Sequence, residues 1–118
     1  MEDTIIGNGV KLDNQIQIGH NVTIGDNTVI AGCVGIAGSA RIGKNVMIGG
    51  KAAILGHLEI ADGCVISPTT YVTKSITEKG TYSSGMPFMA HTEWLRNTIQ
   101  LRNISDLIDT VKKIKGRF

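Results

Sequence analysis

Aromatic side chains are scarce in this chain and unevenly placed: Tyr71, Tyr82, Phe88, Trp94 and Phe118 are the whole set, and none precedes residue 71. Whatever core the first 70 residues build contains no ring. Proline occurs twice, Pro68 and Pro87, against 15 glycines, which suits a chain that turns often without losing ladder donors. Cysteine is limited to Cys33 and Cys64, and two cysteines alone make no metal site. Both are expected to be buried as small hydrophobes. No apolar run approaches the roughly 20 residues of a membrane span, so no stable membrane insertion is expected. The N-terminus lacks a charged-then-apolar signal, and a cytoplasmic protein is expected. With 42% hydrophobic and 19% charged residues, the chain has the composition of a single soluble globular domain.

What is present in abundance is a period of six. Aliphatic residues recur without a miss at Ile6, Leu12, Ile18, Ile24, Ile30, Ile36, Ile42, Ile48, Ile54, Ile60, Ile66 and Val72. The following position is often Gly or Ala, and a small or aliphatic residue sits four after each anchor, as at Val10, Ile16, Val22, Val34, Val46 and Leu58. Six matches neither a helical period nor simple alternation. It predicts a short strand and a bend, with one anchor pointing inward per unit. Three units close a triangular coil of eighteen residues, and coils stack at about the 4.8 Å strand spacing. Residues 1–77 thus read as an all-β solenoid, a parallel β-helix of about four coils whose narrow lumen explains the missing rings. A β-sandwich would show strands at irregular spacing instead.

The repeat stops after Thr77, and residues 78–90 contain Gly80, Ser83, Ser84, Gly85 and Pro87, the composition of a capping loop. Residues 91–118 read as a C-terminal helical extension. Thr92 is the expected N-cap, and Trp94, Leu101, Ile104, Ile108 and Val111 recur at three- and four-residue spacing. One apolar stripe on a protruding helix has to be covered, which points to an oligomer. This segment also carries six basic residues (Arg96, Arg102, Lys112, Lys113, Lys115, Arg117) against three acids (Glu93, Asp106, Asp109). The excess suits an acidic partner or a solvated helix face. Nucleic acid is not expected, since no binding motif or interleaved aromatics accompany the charge.

Hydrolase, nucleotide-loop and metalloprotease motifs are missing, so the chemistry has few candidates. Three histidines remain: His20, His57 and His91. The eighteen-residue period sets His20, Gly38 and Gly56 in one vertical column and Asn21, Ser39 and His57 in the next. Both of the first two histidines then lie on one edge, about two coils or 10 Å apart, with hydrogen or a small hydroxyl between them. Such an edge can be a groove for an extended substrate. A neutral imidazole there can take a proton during acyl transfer, and backbone N–H groups beside glycines can hold an oxyanion. The same residues can equally be exposed polar groups on the outside of a solenoid. His91 opens the helix and reads as structural or solvent-facing.

The stretch "DNQIQIGHNVTIGDNTVIAG", followed by "AGSARIG", "MIGGKAAILGHLEI" and "YSSGMP", closely resembles the UDP-3-O-acylglucosamine N-acyltransferases of lipid A biosynthesis in Gram-negative bacteria. The resemblance covers essentially the whole chain. "DNQ" five residues ahead of "HN", with "GH" 36 residues after that histidine, is the specific part. It implies left-handed coils, a homotrimer and active sites between neighbouring subunits. It further implies that His20 is the general base, taking a proton from the sugar 2-amine as it attacks the thioester of a 3-hydroxyacyl acyl carrier protein. His57 would polarise the carbonyl or orient the acceptor. Asp13, Asn14, Asn21, Gly38, Ser39 and Gly56 are the implied substrate contacts, with Gly38 and Gly56 bordering the donor's 4'-phosphopantetheine arm. Asp13 is the weaker of these, orienting His20 or touching the acceptor. No covalently bound cofactor and no metal are implied. Arg96, Arg102 and Lys112 are the implied contacts with acyl carrier protein. Members of that family carry a uridine-binding domain and further coils ahead of the catalytic one, so these 118 residues read as the catalytic part of a longer enzyme.

Three other readings stay open. A sister O-acyltransferase or acetyltransferase would share the coils without this histidine pair. A γ-class carbonic anhydrase would need three histidines converging on zinc. A trimeric scaffold would need no chemistry at all.

Overall fold

The computed structural model describes residues 3–116; Arg117 of the basic set and Phe118 lie outside the described residues. The chain divides into two compact units, Met1–Gly85 and Met86–Phe118.

In the first unit each expected anchor is the second residue of a two-residue strand. The strands β1 (Ile5–Ile6), β2 (Lys11–Leu12) and β3 (Gln17–Ile18) make the first coil. The second contains β4 (Thr23–Ile24), β5 (Val29–Ile30) and β6 (Gly35–Ile36), and the third β7 (Arg41–Ile42), β8 (Met47–Ile48) and β9 (Ala53–Ile54). The fourth is β10 (Glu59–Ile60), β11 (Val65–Ile66) and β12 (Tyr71–Val72). Three parallel sheets form the sides, running β1-β4-β7-β10, β2-β5-β8-β11 and β3-β6-β9-β12. Pairing joins each residue to the one eighteen positions on, as Ile6 to Ile24 and Ile24 to Ile42. The expected parallel β-solenoid of about four coils is therefore the fold observed.

Strands this short need tight corners. At each corner the second residue takes the left-handed region, and nine of these are not glycine, among them Gln15, Asn27, Cys33, Lys51 and Thr69. That conformation costs an L-residue about 1–2 kcal/mol. Hydrogen bonds between coils offset it: the Asn27 amide donates to Asn8 O at 2.8 Å, and the Lys51 amide to Gly32 O at 3.0 Å. Asparagine, which tolerates this region best after glycine, fills the position at 21, 27 and 45.

Two inward columns per side make the core. Ile24, Ile30, Ile54 and Ile66 are buried, with Val22, Val34, Val46, Ala40, Ala52 and Cys64 four residues after an anchor. Each such isoleucine contributes up to about 1.5–3 kcal/mol. Cys64 is buried as expected, but Cys33 is exposed. The difference is one of phase: residue 33 is the outward corner residue, whereas residue 64 is the inward one.

The solenoid does not end at Thr77. Within the expected capping loop, β13 (Thr81–Tyr82) pairs with β11, Val65 opposite Thr81, and Ile76 bridges Ile60. Both pairings are sixteen residues apart, so the chain begins another coil that is two residues short. Tyr82 packs against the core and its hydroxyl donates to Glu78 O at 2.8 Å.

Two threonines stand in the lumen, and the end of the solenoid separates their fates. Thr28 donates to Gly43 O at 2.8 Å and accepts the Val46 amide at 3.1 Å. Thr70, 3% exposed, has no partner for its hydroxyl among the described residues; the residues at the matching offsets, Gly85 and Phe88, lie beyond the last strand. Thr28→Val is expected to cost about 1–3 kcal/mol, the penalty for orphaned buried partners, whereas Thr70→Val should be neutral or stabilising by about 1 kcal/mol. Urea denaturation of the two variants checks the pair; equal losses would refute the account.

The second unit holds α1 (His91–Arg102) and α2 (Ile104–Lys115). The apolar spacing predicts one helix, but Asn103 at φ −100° and ψ 3° breaks it. Thr92 is not the N-cap. The Trp94 amide already donates to Ala90 O at 2.9 Å, which starts the helix at His91 with extended Ala90 as the cap. His91 stacks on Trp94 with ring centroids 6.1 Å apart. Ile104, Leu107, Ile108 and Val111 are all exposed on α2. An apolar hollow of about 800 Å³ is lined by Met86, Pro87, Met89, Leu101, Ile104 and Leu107. No described helix is long and apolar enough to cross a membrane.

Candidate active site

One corner of the solenoid carries both coil histidines. Three successive passages build it: from β3 to β4 through His20 and Asn21, from β6 to β7 through Gly38 and Ser39, and from β9 to β10 through Gly56 and His57. The stacking is direct, since the Ser39 amide donates to His20 O at 2.9 Å and the His57 amide to Gly38 O at 3.1 Å. The two columns expected from the period are therefore real.

The two central glycines leave room for different neighbours. A methyl group on Gly38 would lie 3.1 Å from Cε1 and 3.2 Å from Nε2 of His20, so the exposed imidazole rests on this glycine with its Nε2 side toward the next coil. A methyl group on Gly56 would lie 2.9 Å from Gly38 O. Beside them, Asn21 Nδ2 donates to Ser39 Oγ at 3.1 Å. His57 is exposed and holds φ 62°.

The glycines also change the backbone chemistry. At the corner that follows β7, Asp62 Oδ1 accepts the Lys44 amide one coil below at 2.7 Å, and Asp26 does the same for Asn8 at 2.8 Å. Gly56 occupies the matching place above Gly38 and has no side chain to offer. The Gly38 amide is left without an acceptor among the described residues.

Asp13 and Asn14 lie elsewhere. They form the corner between β2 and β3, where Asp13 Oδ1 accepts the Asn14 amide at 2.7 Å and Asn14 O accepts the Cys33 amide at 3.0 Å. Within one chain they do not join the histidine corner. Arg96 and Arg102 are exposed on α1 and Lys112 on α2. Six residues separate the two arginines, which sets them about 120° apart around the helix; they do not form one stripe. Among the described residues no group of three His, Cys, Asp or Glu side chains converges on a metal position.

Sequence reasoning missed the wall next to the histidines. A shallow hollow of about 350 Å³ on the β3-β6-β9-β12 face is lined by Gly35, Ala37, Ala53, Leu55 and Tyr71. Gly35, Ala53 and Tyr71 follow one another in register, so the small floor ends at an exposed ring. Folding one more column of the eighteen-residue period would have exposed it.

Comparison with known proteins agrees with this geometry. The family model described as bacterial transferase hexapeptide (six repeats) matches residues 3–38 and again 39–74. The chain belongs to the bacterial transferase hexapeptide family. Among relatives of this hexapeptide chain, the UDP-3-O-acylglucosamine N-acyltransferase of Pseudomonas savastanoi pv. phaseolicola is 50% identical over 98% of the chain and 33% of its own length. The enzyme of that name from Aromatoleum aromaticum is 56% identical over 99% and 35%. The chain thus spans about a third of the length of these relatives. Among solved structures, serine acetyltransferase isoform 3 of Entamoeba histolytica, in complex with cysteine, superposes with a TM-score of 0.64 at 26% identity. That match covers 79% of this chain and 38% of the other.

Proposed function

We propose that this chain carries the catalytic corner of an N-acyltransferase of lipid A biosynthesis. The reaction moves a 3-hydroxyacyl chain from the 4'-phosphopantetheine thioester of acyl carrier protein to the 2-amine of UDP-3-O-(3-hydroxyacyl)glucosamine, in the cytoplasm. The observation that carries this reading is the seat of the His20 imidazole on Gly38, beside a backbone amide with no acceptor. The identity to enzymes named UDP-3-O-acylglucosamine N-acyltransferase supports the choice of substrates.

Each group then has a task. His20 accepts the proton of the attacking amine as the new C–N bond forms. The thioester carbonyl becomes an oxyanion, and the Gly38 N–H is the donor aimed at it. When the C–S bond breaks, the proton passes from His20 to the leaving thiolate. His57, two coils along, orients the acceptor or polarises the carbonyl. Asn21, Ser39 and Gly56 border the groove, and the hollow ending at Tyr71 offers apolar wall for the acyl chain. Asp13 and Asn14, on a different corner, reach such a site from a neighbouring subunit.

A homotrimer supplies that neighbour. Exposed Val29 and Met47 on one face, Leu55 and Tyr71 on another, and the α2 stripe are the apolar surfaces it would cover. Arg96, Arg102 and Lys112 are the basic contacts for acidic acyl carrier protein.

Acyl transfer from 3-hydroxyacyl carrier protein thioesters of several lengths to UDP-3-O-acylglucosamine, read by mass spectrometry, should give an amide-linked product. Transfer only to a hydroxyl acceptor, or none to the aminosugar by the full-length enzyme, would overturn the reading. Light scattering should give three times the chain mass; a monomer removes the shared site.

A further inference from the structure

We propose that Asn21 and Ser39 are positioning residues for His20 rather than substrate contacts: together with Gly38 they clamp the corner of the first coil so that the imidazole stays seated. The inference rests on the acyl-transfer reading above for its activity readout, but its geometry stands apart from it.

An exposed histidine on a corner has several staggered rotamers open to it. A base that works has to be held within about 0.5 Å and 10–20° of its productive pose. Among the described residues, the His20 ring has no hydrogen-bond partner to hold it. Its orientation depends on the backbone at 20–21 and on the surface it rests against, and Ser39 controls the first of these from both sides. Its amide donates to His20 O at 2.9 Å, and its Oγ accepts Asn21 Nδ2 at 3.1 Å. The peptide between residues 20 and 21 is therefore gripped before and after.

A neighbouring corner acts as an internal control. Asn27 and Asn45 occupy the equivalent left-handed positions, φ 61° and 56°. The Asn45 amide makes the matching backbone bond, to Asp26 O at 2.9 Å. No side-chain bond joins Asn27 to Asn45 among the described residues, yet that corner folds. The Asn21–Ser39 bond is therefore not needed to make a corner; the other bond between stacked corner positions, from Cys33 Sγ to Gln15 Oε1 at 3.5 Å, is a longer thiol contact on a corner without a histidine. Gly38 completes the seat. Its φ lies outside the left-handed region, so its backbone would accept alanine, and what the missing methyl leaves open is the space beside the ring, where an added Cβ would come within 3.1 Å of His20 Cε1.

Three variants test this: Ser39→Ala, Ser39→Thr and Gly38→Ala. Threonine keeps the hydroxyl, and Thr69 shows that it tolerates this corner position at φ 62°. In acyl transfer, Ser39→Ala and Gly38→Ala should each lower kcat by about tenfold, within the cost of a small misplacement, with KM nearly unchanged. Ser39→Thr should stay close to the parent. By NMR, the proton contact between His20 Hε1 and Gly38 Hα should weaken in Ser39→Ala and persist in Ser39→Thr, with unchanged melting temperatures. A raised KM at constant kcat would make Ser39 a substrate contact and overturn the proposal, as would an unmoved ring in Ser39→Ala. A His20→Ala control that keeps turnover would defeat the acyl-transfer reading instead, and the NMR contact would still decide the clamp.

Discussion

His20→Ala is expected to lower kcat for amide formation by about 10²- to 10⁴-fold, the range that a positioned general base contributes, while leaving the fold intact. The separation of the two effects follows from the corner. The His20 side chain is exposed, and its neighbour is a glycine rather than a core residue. Its backbone carbonyl keeps the Ser39 amide whatever the side chain. Truncation therefore removes no buried contact, and a surface change of this kind stays within about 0.5 kcal/mol. Steady-state kinetics beside a thermal melt would measure both quantities. Near-normal turnover would take His20 out of the reaction, and a lowered melting temperature would show that the ring is structural.

A large stability effect is expected from a glycine away from the histidine corner. A methyl group on Gly25 would sit 2.6 Å from Gly43 C, 2.6 Å from Lys44 N and 2.7 Å from Gly43 O. All three are backbone atoms of the next coil, held by the ladder, so no side chain can swing aside. Gly25→Ala should lose about 3 kcal/mol, the upper part of the usual overpacking range, as the coils are pushed apart. Gly50→Ala is the contrasting case. There the nearest atom, Gly32 O, is 3.6 Å away, an ordinary contact, and φ is not positive. Reduced freedom of the unfolded chain should stabilise that variant by about 0.4–1 kcal/mol. Opposite signs for two glycine-to-alanine changes in one solenoid are the test; losses of similar size would show that Gly25 is not held by close backbone approach.

The fold was legible because the lumen is so restrictive. A tube lined by one aliphatic anchor per six residues prints its geometry on the sequence, and the twelve anchors mark the twelve strands of the four full coils. The same phase fixes the histidine corner, since residues 20, 38 and 56 differ by eighteen. Phase outweighs residue type at Cys33, whose place in the repeat faces outward although cysteine usually packs inside. Where phase changed, reading failed. The coil containing β13 is two residues short, so a search in steps of six loses it after Val72. The break at Asn103 is silent for a different reason, because Leu101, Ile104 and Ile108 keep their spacing across a single non-helical residue. The direction of the imidazole, the bare Gly38 amide and the Asn21–Ser39 bond are properties of atoms between coils, which no single column of the sequence displays.

That shortened coil has a consequence for the rim it forms. A solenoid of flat, regular coils invites end-to-end growth, because a rim of unpaired backbone groups templates the next chain. Here β13 and Ile76 pair at sixteen residues while the coils beneath keep eighteen. A regular coil arriving from another molecule would meet a corner two residues shorter than its own, between Val72 and Ile76, with the Tyr82 side chain packed against the core. Among the described residues, the rim is thus the one place where the outline of the coil departs from the outline beneath it, a poorer template for a further regular coil.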